Sequence, residues 1–521
     1  MNYLKVLEML RARTEHLANF AGGQWLETKR TAKLINPING TLMLKYPDTQ
    51  PDELEPFLAG LRSCPKSGLH NPLKNVERYL MLGEVSFQAA VLLDNPKIAD
   101  YFVHLIQSVM PKSNKQCSNE VTVVKQFLKN FSGDQARFLA NGRNAPGDHA
   151  GQQPNDYRWP LGPVVIIAPF NFPLEIPALQ LMGALYMGNR PLVKSATIAS
   201  LVIEQFLRLL HICGLPKTDV DLIHCRGQVM NDLLRQGKNI IRLVQFTGSN
   251  QVAEELAILM RGKVRIEDAG FDWKILGPDY HPKDADYVAW QCDQDAYAAS
   301  GQKCSAQSIL FMHKNWGNDF LTKLRKRAAS RNLSDLTIGP VLTWRTDELI
   351  AHARRLAAIP GAKILFGGKP LANHSIPECY GAIEPTAVFI PIKKIFSPEY
   401  FELATTEVFG PIQVVTEYAN AEIPLVLELC EQMQNHLTAA VVSRDQEFID
   451  RVLGATVNGT TYVGVRARTT GAPQNHWFGP SGDPRGAGIG TPEAIIVTWS
   501  VQRCVIRDTG PIDYSVNLAQ S

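Results

Sequence analysis

From residue 162 the chain alternates short, uniformly apolar runs with longer stretches whose apolar residues recur at helical spacing. "GPVVIIAP" reads as a buried strand, "PLEIPALQLMGALYMG" as an apolar helix, "RPLVKSA" as a strand ending on a cation, and "SLVIEQFLRLLHICG" as a helix. "VDLIHC", "IRLVQFTGS" and "VRIE" continue the strands, with "VMNDLLRQG" and "NQVAEELAILMRG" as helices between them. Continuously apolar strands joined through helices by short connections predict a parallel, doubly wound sheet. Residues 267–440 repeat the alternation in "AWQCDQDAYAASG", "QSILFMH", "DFLTKLRKRAAS", "PTAVFI" and "HLTAAVVS", and predict a second α/β unit.

The flanks differ. Residues 1–110 read as mostly helical, with "VERYLMLGEVSFQAAVLLD" the clearest amphipathic helix. The start, "MNYLKVLEMLRARTEHLA", is basic and amphipathic; it fits a surface helix better than a remnant transit signal, because it holds acids and little serine. Residues 141–160 are polar and rich in Gly, Pro and Asn, an excursion such as a hairpin. The tail from 455 is Gly-rich and then extended in "AIIVTWSVQRCVI". An extended C-terminal strand of this kind completes a partner's sheet in a homo-oligomer, a dimer or higher.

With 521 residues the chain exceeds one hydrophobic core. The formal net charge of +3, with acids and bases mixed, gives no argument for nucleic acid or a membrane surface. No apolar run reaches the ~18 residues that span a bilayer. The nine cysteines are dispersed, with no CxxC and no Cys/His spacing of a zinc site. They read as reduced thiols, and no structural metal is expected.

Doubly wound sheets bind ligands at the carboxyl ends of their strands. At the first such end, "APFNFP", Asn171 stands between aromatics and prolines and can donate to an oxyanion; alone, it also fits an ordinary turn. Lys194 ends the next strand, placed either to hold a nucleotide or to reach solvent. "FTGSNQVAEEL" turns through Gly248 and Ser249 into a helix whose N-terminus can face a pyrophosphate, although GxGxxG is absent. Glu267 ends a short strand, as a general base or as an acid paired with Arg265. Cys304 in "ASGQKCSAQS" has small, polar and cationic neighbours, which suits a thiol that must be reached and ionised.

The order decides more than any member: PFNFP, K, FTGS, E-x-x-G, GQ-x-C, then "TTEVFGP" at 405–411. From about residue 20 to residue 505 the chain resembles the aldehyde dehydrogenase superfamily. The resemblance implies an aldehyde dehydrogenase-like α/β fold: a Rossmann-like NAD-binding domain (1–140 and 161–266), an α/β catalytic domain (267–480) and a small β oligomerisation element (141–160 and 490–521). It implies Cys304 as nucleophile, Asn171 as oxyanion donor and Glu267 as the base that activates water. For NAD it implies Ile167, Ala168, Phe170, Lys194, Gly248, Ser249, Glu407 and Phe409. Where many NAD-specific members carry a Glu, this chain has Thr197, so charge does not exclude NADP. Phe170 replaces the usual Trp, and Asp268 and Ala269 replace the usual Leu and Gly after Glu267; a second acid there raises the base's pKa or points away.

"GQKCSAQS" is narrower than GQ-x-C and is similar to the glutamate-semialdehyde (delta-1-pyrroline-5-carboxylate) dehydrogenases, in their plant-type branch. That resemblance implies a small-molecule semialdehyde whose α-carboxylate is held by Ser305 beside Lys303 and by the backbone of Gly471 and Ala472, with Phe478 on the aliphatic chain. It also implies a mitochondrial matrix enzyme of proline catabolism. The remaining alternatives are another aldehyde (betaine aldehyde, succinate semialdehyde or aliphatic), a CoA-acylating member, and a catalytically silent member.

Overall fold

The computed structural model describes residues 3–12, 14, 16–267, 270–471, 476–512, 514 and 515. Its first sheet has seven strands in the order Val264–Glu267, Leu243–Thr247, Pro163–Ala168, Arg190–Ser195, Asp221–Leu222, Asn19–Ala21 and Gln24–Leu26. The first five run parallel and the last two close the edge as an antiparallel hairpin. Helices cover both faces, which is why Pro163–Ala168 is buried at every position. Helix Glu175–Tyr186 is buried all round, between this sheet and the helices Glu77–Asp94 and Asn114–Asn130.

The second sheet runs Lys363–Phe366, Thr386–Phe389, Ile412–Tyr418, Gln307–His313, Asp272–Leu276, Thr438–Val442 and Thr460–Val463, parallel except for the first pair. The third is the excursion: Asn141–Asn144 turns back on Gln152–Pro160, which pairs antiparallel along its whole length with Ser500–Asp508.

Two expectations are corrected. Residues 1–110 are not mostly helical, because strands occupy Asn19–Ala21, Gln24–Leu26, Thr31–Ile35 and Leu42–Pro47. "NPING" supplies the turn of the last two, with Gly40 at φ +72°. The tail is not extended from 494: Pro492–Trp499 is a helix and the strand begins at Ser500. Thr491 caps it by accepting from the Ala494 N–H, and Pro492 takes the first turn. Trp499 then packs on Gly183, where a larger residue would meet its indole.

Candidate active site

A run of left-handed backbone brings the cysteine into place. Ala299, Ser300 and Gly301 have φ of 55°, 56° and 70°. The first two are non-glycine residues in a region that costs roughly 1–2 kcal/mol each, so the surroundings must hold them. Ser300 Oγ donates to the Gly339 carbonyl (3.1 Å) and accepts from the Gly339 N–H (2.8 Å). Gln302 Nε2 donates to the Pro340 carbonyl (2.9 Å), and its Oε1 accepts from Leu342 (2.8 Å). At Gly301 a β-carbon would collide with the Gly410 carbonyl. The Gly-Gln of GQ-x-C is thus a staple between the cysteine turn and the loops at 339–342 and 410.

Cys304 lies where two cavities meet. One, of about 440 Å³, is lined by Ile167, Ala168, Phe170, Asn171, Lys194, Gly248, Ser249, Glu267, Glu407 and Phe409. All the residues expected for the cofactor line it except Thr197. Thr197 begins a single-turn helix beyond the Arg190–Ser195 strand, and Ala196 takes the place on the wall. Ile167 and Lys194 sit side by side in register on neighbouring strands. Burial holds the Lys194 amine below its ordinary pKa. Ser249 occupies the N-cap position of helix Asn250–Leu259, but its side chain makes no capping hydrogen bond, so it leaves the amides of the first turn free for an anion. Phe409 has φ +52° and meets Phe170 edge-on, with ring centroids 5.9 Å apart; this pair fills the space behind the missing Trp.

Asn171 is buried, and its carboxamide makes no hydrogen bond with any described residue, leaving it free to donate into this cavity. Its backbone carbonyl is held by Lys112 Nζ at 2.9 Å. Glu267 is also buried, at the end of a strand whose outer edge is covered by Arg485–Ala487. Arg265 does not pair with it, donating to the Pro484 carbonyl instead. The Glu267 carboxyl and the Cys304 thiol line the same cavity. Burial first, then the Glu267 charge, push that thiol well above its ordinary pKa. A free thiol beside a carboxylate that disfavours the thiolate is matched to a base that can take its proton. Asp268 and Ala269 lie outside the described residues.

The second cavity, of about 390 Å³, is lined by Lys303, Ser305, Gly471 and Phe478. Lys303 donates to the Gln294 carbonyl at 2.9 Å, and burial lowers its pKa to about 8. The loop leading to Gly471 is tied down by a buried ion pair. Asp295 meets Lys274 Nζ at 2.7 Å and also accepts from the Thr469 N–H (2.9 Å) and Thr470 Oγ1 (2.8 Å). At Gly471 a β-carbon would collide with the Tyr462 hydroxyl. Ala472 lies outside the described residues.

Residues 25–483 match the model of the aldehyde dehydrogenase family. The chain belongs to that family. This aldehyde dehydrogenase is 55% identical over 516 residues to the mitochondrial delta-1-pyrroline-5-carboxylate dehydrogenase 12A1 of Arabidopsis thaliana, covering 99% of this chain and 92% of that protein. It is equally identical, over 508 residues covering 97% and 92%, to a Linum usitatissimum protein named "Probable aldehyde dehydrogenase". Among solved structures it shares its fold with betaine aldehyde dehydrogenase of Staphylococcus aureus in complex with NAD+, at TM-score 0.81 and 20% identity over 98% of this chain and 97% of that one.

Sequence reasoning missed several wall residues of the aldehyde dehydrogenase site. On the cofactor side Thr343 and Trp344 join the cavity; no motif marks them. On the substrate side Phe172, Glu175, Trp290 and Arg468 do. Phe172 is next to Asn171 in "FNFPLE" and Glu175 opens the helix that follows, so their closeness to Asn171 in the chain was the available signal. Among the described residues there is no helix long and apolar enough to cross a membrane, and no group of three or more metal-ligating side chains.

Proposed function

We propose that this enzyme oxidises L-glutamate γ-semialdehyde, the open form of delta-1-pyrroline-5-carboxylate, to L-glutamate with NAD as hydride acceptor. The observation that carries the reading is the 55% identity to a delta-1-pyrroline-5-carboxylate dehydrogenase over nearly the whole of both chains. The cavity chemistry agrees, since Ser305, Gly471 and Arg468 line one space with Cys304 and together suit a carboxylate at the far end of a short aldehyde.

Cys304 Sγ attacks the aldehyde carbon as Glu267 takes the thiol proton. The Asn171 carboxamide and the Cys304 N–H donate to the oxyanion; losing one such donor costs roughly 10²–10³ in rate. Lys194 and Glu407, on the walls of the first cavity, would hold the riboses of NAD, and Gly248 and Ser249 would take its pyrophosphate. When bound, NAD supplies the hydride acceptor that converts the thiohemiacetal to a thioester. Glu267 passes the thiol proton to solvent, then takes one from the water that attacks the thioester and gives it to the departing Cys304 sulfur, releasing glutamate and the free thiol. Ser305 and the Gly471 amide hold the α-carboxylate, with Lys303 behind them and Phe478 against the methylenes.

The enzyme acts as a homo-oligomer through the outer edge of Ser500–Asp508, and in mitochondria, as the Arabidopsis relative's name states for that protein. The test is NADH formation with delta-1-pyrroline-5-carboxylate beside succinate semialdehyde, betaine aldehyde and hexanal. The highest kcat/KM is expected for the first. A higher value for another aldehyde would overturn the substrate.

A further inference from the structure

Two carboxyls line the substrate-side cavity, Glu120 and Glu175. Glu120 is fully engaged. Its Oε2 accepts from Lys112 Nζ at 2.7 Å, and its Oε1 accepts from the backbone N–H groups of Leu174 (2.7 Å) and Glu175 (3.0 Å). Glu175 is the contrast. It is 8% exposed, and its carboxyl has no hydrogen bond or ion pair with any described residue. Burial first, then the charges of Glu120 and Glu267, hold its carboxyl well above the ordinary carboxylate range. Lys112, which acts the other way, is already committed to Glu120 and to the Asn171 carbonyl.

A buried acid with no partner is costly unless a ligand completes it. An acid in the first turn of a helix gains from the helix dipole, but that gain needs no cavity, and Glu175 lines one. The same cavity presents Arg468, Lys115 and Lys303. It therefore offers both signs of charge, the complement of a zwitterion rather than of a simple carboxylated aldehyde.

We propose that Glu175 is a specificity-determining residue that receives the α-ammonium group of the substrate, while Ser305, Gly471 and the Arg468 side take its α-carboxylate. The ligand class is an α-amino acid carrying an aldehyde. The inference rests on the function proposed above and adds to it the group that separates glutamate semialdehyde from its deaminated analogue.

The test compares glutamate γ-semialdehyde with 5-oxopentanoate, which has the same chain and carboxylate but no amino group, in the full-length wild type and in Glu175→Gln. A charged hydrogen bond is worth about 1.5–3 kcal/mol, roughly 10–100-fold. The ratio of kcat/KM, amino-bearing over amino-free, should fall by about that factor in Glu175→Gln. Equal losses on both substrates would overturn the ammonium assignment while leaving the function standing. If the wild type favours 5-oxopentanoate, the function falls, and this inference with it. Product inhibition of the wild type needs no variant: L-glutamate should inhibit more strongly than glutarate, and equal inhibition would overturn the proposal.

Discussion

Lys112 Nζ donates to the backbone carbonyl of Asn171 at 2.9 Å and to the carboxylate of Glu120 at 2.7 Å, with neither ion exposed. Glu120 in turn holds the N–H groups of Leu174 and Glu175. One ion pair therefore fixes the backbone on both sides of Phe172-Pro173, and so sets where the Asn171 carboxamide points. The same ammonium lies 4.3 Å from the centre of the Phe172 ring.

Removing one half of such a pair leaves a buried charge alone, at about 3–5 kcal/mol. Lys112→Met should lose that much unfolding free energy in urea. Lys112→Met with Glu120→Gln should recover part of it. A single variant as stable as wild type would show that the pair holds nothing.

Glu267 disfavours the Cys304 thiolate by its charge. Glu267→Gln removes that charge, so the thiol should ionise at lower pH, and the midpoint of iodoacetamide alkylation against pH should move down. The same variant lacks the base for both steps, so its first NADH should form more slowly and turnover should then stall at the thioester. An unmoved alkylation midpoint would separate the two side chains.

Lys303 is held at about 8, below the ordinary 10.5. The folded state therefore binds fewer protons than the unfolded chain between these values, and stability rises with pH across that window. Below pH 8 the cost is fully present, roughly 3 kcal/mol. Relative to Lys303→Met, wild type should gain up to that amount between pH 7 and pH 10.5 in urea unfolding. A difference that does not change with pH would show that the amine is not desolvated.

Ser305 faces the substrate-side cavity and is buried. Ser305→Ala should raise KM for glutamate semialdehyde by roughly tenfold, as for a charged hydrogen bond, and raise it much less for propanal. Equal effects on both would remove Ser305 from carboxylate binding.

The parallel sheets were legible because strands buried on both faces leave unbroken apolar runs, as in Pro163–Ala168 and Thr438–Val442. The strands between Asn19 and Pro47 were not, since they are short and mix exposed, half-covered and buried positions without clean alternation. Helix Pro492–Trp499 hid behind β-branched residues, and its cap and the burial of Trp499 overrode their preference. In the site, strand ends and the cysteine loop carry motifs, so Asn171, Lys194 and Cys304 could be placed from sequence. Trp344 and Arg468 reach the cavities from distant loops, which no local pattern announces. Thr197, at the offset from Lys194 that the resemblance implies, begins the short helix that follows Ala196 and is not on the cavity wall.

Among the described residues, Cys304 is the one common to the walls of the two cavities. A lineage can therefore rebuild the aldehyde side without touching the walls of the nucleotide side, or the reverse. Choice of fuel and choice of electron carrier become separately heritable traits, joined at a single sulfur atom.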